Sequence, residues 1–277
     1  MIGRHSTALI AAAAAALIVA SVGQRSSLRA QGQANAPVDF TGTWVSIVTE
    51  DWIERMVTPR KGDFANLPLT QSAQDAAQRA DMAAVQRSGR ACEAYGAPVV
   101  MREPGRVRIS WQDASTLRID TDAGGQTRLL HFIDRAAPPA EPTFQGWSAA
   151  EWQYTNGFDP LQTNAAAGRG RGRGRRGGGP PSGRGGEQDG APGGRLRVTT
   201  TNLSPGFLRK NGVPYSAKTT VTEYFNLLEA PDNGSKWFVV TTVVRDPENL
   251  VVDYITSTNF RHEPDGSKWR PRPCSID

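Results

Sequence analysis

The chain has 277 residues, a formal net charge of +5, three histidines and two cysteines. That length suits one large domain or two small ones. Only His131 and His262 lie beyond residue 5, which excludes a multi-histidine zinc site, and no His-Glu-x-x-His, Gly-x-Ser-x-Gly or phosphate-loop motif is present.

Arg4 and His5 precede an uncharged, alanine-rich run from Ala8 to Val22. It is too short to span a bilayer comfortably. A basic start, a short apolar run and small residues near Gly23 or Ala30 read as a signal peptide over 1–30. Cleavage after Ala30 is preferred, with Gly23 as the rival. Export to the periplasm or medium follows, with no membrane anchor left after cleavage. Residues 31–38 are polar and proline-containing, hence a linker to one domain over 39–277. It opens on a β-rich stretch, Asp39-Phe40-Thr41-Gly42-Thr43-Trp44-Val45-Ser46-Ile47. Asp51 to Leu69 is irregular. Thr70 is suited to cap a helix from about Gln71 to Arg87, whose small apolar face, Ala73, Ala76, Ala77, Ala80 and Ala84, would pack outside the main core.

A three-stranded meander follows. Val107, Ile109 and Trp111 alternate with polar residues, as do Leu117 and Ile119. A turn at Asp113-Ala114-Ser115 pairs Trp111 with Leu117 and Ile109 with Ile119; a one-residue slip would set apolar against charged side chains. A second turn at Ala123-Gly124-Gly125 would pair Ile119 with Leu129 and Leu117 with His131, putting His131 on the core face. Asp120 would then lie between Arg108 and Arg128. Further strands read at about Thr143–Gln153, Leu196–Leu203, Thr219–Glu229, Lys236–Arg245 and Val251–Arg261. Pro231-Asp232-Asn233-Gly234 and Pro264-Asp265-Gly266 mark turns. The result is an all-β fold with minor α: an antiparallel β-barrel of about 8–10 strands, with a sandwich as the other option, and one flanking helix.

The stretch from Ala165 to Gly194 is Gly, Arg, Pro and Ser with almost no apolar side chains, so it reads as a disordered loop between neighbouring strands. Seven arginines stand against two acids between Ala165 and Arg195, and the leader adds three arginines. The remaining body is mildly acidic, which argues against a basic face for specific nucleic-acid binding. Contact of the insert with anionic envelope surfaces is one option, no function the other. Cys92 and Cys274 fit an oxidising compartment and one long-range disulfide.

The candidate ligand-binding residues are few. Glu223 shares a face with Val221, Phe225 and Leu227, so its carboxylate would point inward and need a partner; with the other face inward, Tyr224 and Asn226 would line the interior. His131 is the better of the two histidines for catalysis or binding. The connection from Pro205 to Ser216 carries Arg209, Lys210, Asn211 and Tyr215, as a binding loop on a rigid barrel would. Trp147 and Trp152 add two aromatics on one strand. No cofactor is indicated.

Asp39-Phe40-Thr41-Gly42-Thr43-Trp44, Cys92-Glu93-Ala94-Tyr95-Gly96, Leu208-Arg209-Lys210-Asn211-Gly212-Val213-Pro214-Tyr215 and Glu263-Pro264-Asp265-Gly266-Ser267-Lys268-Trp269 resemble a family of secreted bacterial proteins of unassigned activity. The resemblance implies export and a single domain. Gly42-Thr43-Trp44 is more loosely similar to the Gly-x-Trp of lipocalins. That likeness implies a barrel holding a small apolar or amphipathic ligand, with Trp44 closed over by Arg261 or Arg270. The alternatives are an enzyme on the same barrel using His131 and Glu223, or an envelope interaction protein without a small ligand.

Overall fold

The structure, a computed structural model, describes residues 32–132, 138–154 and 193–276. The expected leader and nearly all of the Arg/Gly insert lie outside the described residues. In chain order the strands are β1 (Gly42–Ile47), β2 (Arg106–Asp113), β3 (Thr116–Thr121), β4 (Thr127–His131), β5 (Trp147–Tyr154), β6 (Gly194–Thr201), β7 (Gly206–Arg209), β8 (Val213–Tyr215), β9 (Thr220–Glu229), β10 (Lys236–Arg245) and β11 (Tyr254–Glu263). Nine of them close a barrel in the order β1-β11-β10-β9-β6-β5-β4-β3-β2, while β7 and β8 form a separate hairpin. The barrel is mixed rather than wholly antiparallel, because β4 and β5 run parallel through Leu130↔Ser148 and His131↔Ala149. No hairpin joins them: the chain first reaches the far end of β6, where Thr143 bridges Leu203, and only then starts β5.

Alternation along the strands sends every second side chain inward. Ile119, Leu130, Leu196, Val198, Phe238 and Val240 have no exposed surface at all. Side chains so enclosed border no water-sized void. Aromatic rings fill the middle, with Phe238 lying 4.8 Å from Trp44, 4.6 Å from Phe260 and 5.9 Å from Phe40, centroid to centroid. Each large side chain buried in this way contributes about 1.5–3 kcal/mol. The hollow interior that the lipocalin likeness implies is therefore occupied by protein. Its Arg-over-Trp closure is also absent among the described residues: His262 packs edge-on against Trp44 at 4.8 Å, and Arg261 lies over Trp237 instead. Gly42, at a φ of +125°, makes room for this, since a Cβ there would stand 2.8 Å from His262 Nε2.

Both barrel ends are covered. Gly32–Val38, read as a linker, packs over one: Trp152 Nε1 donates to the Gly32 carbonyl (3.1 Å), Tyr154 Oη to that of Asn35 (2.9 Å), and Ala36 and Val38 touch the core. At the other end a second apolar cluster joins Leu208, Val213 and Tyr215 of the β7–β8 hairpin to Val221, Val244 and Tyr254. Ala73 and Ala77 of a helix complete this cluster, outside the main core as their small size implied. The described residues hold three short α-helices, α1 (Trp52–Met56), α2 (Gln71–Arg79) and α3 (Met82–Arg87). The single helix expected over 71–87 is thus two. Thr70 caps the first as expected, accepting from Ala73 N; Ala80 then turns extended, and Asp81 caps the second by accepting from Ala84 N at 2.9 Å.

The first meander register holds: Trp111 pairs with Leu117 and Ile109 with Ile119. The second is shifted by one residue. Leu117 pairs with Leu130 and Ile119 with Arg128, because the turn spans four residues, Asp122 to Gly125, and Thr121 N donates to the Gln126 carbonyl. Leu130 and Arg128 therefore face inward, and Leu129 and His131 face out. Asp120 bonds Arg118 on its own strand and Thr127 across, and does not reach Arg128.

Candidate functional site

A groove of about 1270 Å³ lies on the flank of the barrel. One wall is the end of β1 and the chain beyond it, Val45 to Val48. Another is the C-terminal tail from Arg270 to Ser275. The β3–β4 turn forms part of the floor, and Trp52 and Met56 of α1 form the rim. Asp51, at a φ of +47°, turns the chain sharply into α1, which buries the Arg55 side chain but none of its apolar ones. Trp52 and Met56 are consequently 62% and 59% exposed, beside Ile53 and Val57 in the same state. Four apolar side chains left open within the six residues from Trp52 to Val57 are more than scattered surface apolarity.

The tail is fastened at several points. Cys92 and Cys274 form the expected disulfide. Arg272 N donates to the Asp122 carbonyl (2.8 Å), and Tyr95 Oη donates to the Ser275 carbonyl (2.8 Å). Gly124 has a φ of +73°, and a Cβ there would stand 2.4 Å from the Tyr95 ring. Only glycine lets this turn lie flat on Tyr95. Sequence, disulfide and turn together therefore fix the groove's width.

A smaller cleft of about 110 Å³ adjoins the groove and shares Arg55, Met56, Glu103 and Lys210 with it. Its lining also includes Arg102, Arg209 and Tyr254. Lys210 Nζ pairs with Glu103 at 2.9 Å and sits 4.9 Å from the Tyr95 ring centre. Burial works against the Lys210 charge, but Glu103 and Tyr95 outweigh it and hold its pKa above the ordinary lysine value.

Of the residues singled out from sequence, Arg209 and Lys210 are thus brought together at this cleft. The others are not. Asn211 is a staple, donating to the carbonyls of Arg60 (3.1 Å) and Asp63 (2.9 Å). Tyr215 is buried in the end cluster with no partner for its oxygen; burial, reinforced by Glu93, pushes its pKa well above the ordinary phenol value. Glu223 does face inward, where Arg128 Nη1 and Nη2 donate to it at 2.9 and 2.5 Å; Tyr224 and Asn226 face out. Trp152 belongs to the barrel core. His131, expected on the core face, lies on the outer face stacked on Trp147, 3.9 Å between ring centres. Its pKa is lowered by partial burial, against a weaker opposing effect of Asp113.

Arg55, Arg102 and Trp52 went unmarked in the sequence, and Tyr95 entered only as part of the Cys92–Gly96 motif. The available signal was Trp52-Ile53, an apolar pair inside a segment otherwise read as irregular. No protein family, curated protein or solved structure gives a match to this chain.

Proposed function

We propose that the protein is an exported β-barrel protein that binds a small amphipathic ligand in the flank groove rather than along the barrel axis. The observation that carries this is a roomy groove rimmed by exposed Trp52 and Met56 and bordered by cations. Binding sites are concave, largely preformed and mostly apolar with a few placed polar groups. The basic start of the chain, the alanine-rich run after it and the disulfide support export to the periplasm or medium. The Arg/Gly insert would then meet anionic envelope surfaces rather than nucleic acid. An enzyme built on His131 and Glu223 has less support, because the two side chains face opposite sides of the barrel wall.

Native mass spectrometry of the protein purified from its own host tests the reading. A discrete small-molecule mass excess is expected, lost in Trp52→Ser with the fold retained by circular dichroism. A bare mass, together with no change in fluorescence on adding a single-chain amphiphile, overturns it.

A further inference from the structure

The cleft beside the groove holds guanidinium groups that its own surroundings leave unfinished. Arg55, with its side chain 2% exposed, donates through Nε to the Arg102 carbonyl (3.0 Å) and through Nη1 to Glu50 (3.1 Å). Arg102, 11% exposed, gives Nη2 to Asp51 at 3.0 Å. Arg55 Nη2, Arg102 Nη1 and both Nη atoms of Arg209 are shut from water and have no acceptor. The other lining carboxylates do not reach them: Glu103 is taken by Lys210, and Glu54 bonds none of the four nitrogens. Arg209 has no acid paired with it among the described residues.

This arrangement is expensive in the free protein. A buried donor without an acceptor loses its bonds to water and gains none in return, and the cost is larger when it is charged. Few such groups survive in native structures without a reason. Arg55 also feels Arg102 as a like charge, which adds to burial in lowering its pKa. The free volume of about 110 Å³ compares with roughly 10–15 Å³ for one water, so a small anionic group fits, and the guanidinium groups, whose unpaired nitrogens border no water-sized space in the free protein, must turn towards it to bond it. Guanidinium forks match the paired oxygens of a carboxylate or phosphate, and such charge-assisted bonds are the strong ones.

We propose that this cleft binds the oxyanion head, a carboxylate or phosphate monoester, of the ligand whose apolar tail lies in the groove against Ile47, Trp52 and Met56. Arg209 is the principal donor, with Arg55 and Arg102 supplying one nitrogen each. This rests on the groove being a ligand site, and the experiment separates the two ideas.

Calorimetric titration of the full, disulfide-intact chain uses decanoate, decyl phosphate, decanol and inorganic phosphate as probes. At least one charged amphiphile should bind about tenfold or more tighter than decanol. Arg209→Gln should abolish that preference, so that the charged amphiphiles bind no tighter than decanol does to the same variant. Because Arg209 makes no side-chain bond that this variant breaks, its melting temperature should hold or rise. Arg209→Lys, which keeps the charge and loses the fork, should fall between the two. Decanol binding as tightly as both acids overturns the oxyanion head but spares the groove. Inorganic phosphate binding that is lost in Arg209→Gln, with no amphiphile bound, supports the anion site and overturns the groove. No binding by any probe, or a destabilised Arg209→Gln with unchanged ligand preference, overturns the proposal.

Discussion

Glu223 and Arg128 have side chains with no exposed surface, and Thr200 and Ser148 extend their hydrogen bonds across the barrel interior. Burying a pair of charges gains little net stability, but removing one partner strands the other. Arg128→Met or Glu223→Leu should each lower unfolding free energy by about 3–5 kcal/mol, and the double change should cost less than their sum. Denaturant titration of the three variants checks this. His131 gives a pH test. Its folded pKa lies below the ordinary 6.5, so the neutral ring favours folding above that value, and the contribution is lost as pH falls through 6.5 towards the folded pKa. His131→Phe should therefore lose less stability than the native chain between about pH 7.5 and about pH 5, followed by melting temperature. The inward Glu223 was legible from its alternation with Val221 and Phe225. Its partner was not, because Leu129 and Leu130 are adjacent, and either could be the core residue of β4. Apolar alternation cannot resolve a register where two apolar residues follow one another.

β5 and β6 pair over eight residues, ending with Tyr154 opposite Gly194. Their adjacency was legible, since the strands flanking the insert needed to be neighbours for a loop to join them. Replacing residues 155–193 with an Asn-Gly turn should raise the melting temperature by about 5–10 °C, because closing a connection of two residues rather than 39 saves roughly 2–3 kcal/mol of chain entropy. A collapse of folding on this replacement would show that the insert belongs to the fold. The helix break at Ala80-Asp81 was less legible, since alanine periodicity continues unchanged through it. The parallel β4–β5 pair was not legible either. Alternating strands look the same whichever way their neighbours run.

The whole molecule was legible as a β-rich barrel with one disulfide, and its binding surface was not. The groove is made of six stretches far apart in sequence, and only topology brings Trp52, Tyr95, Gly105, Asp122, Lys210 and Arg272 to one place. The cation loop at Arg209 and Lys210 was visible, while the arginines that meet it from Arg55 and Arg102 were hidden in segments without periodicity. The disulfide spans 182 residues, and chain-entropy arguments put its contribution at up to about 5 kcal/mol. Replacing Cys92 and Cys274 by serine should lower stability by up to about that amount, and should weaken groove binding as well, since the tail forms a wall. Unfolding curves and amphiphile titration on the same sample measure both. The bridge also makes residues 92 to 274 a closed covalent ring, and the Arg/Gly stretch lies on that ring. One cut anywhere in a ring opens it without dividing it. A protease that severs the arginine-rich stretch would thus leave two polypeptides and still one molecule, the two pieces joined through the disulfide and through the pairing of β5 with β6. Such a product should run as a single band without reductant and as two with it.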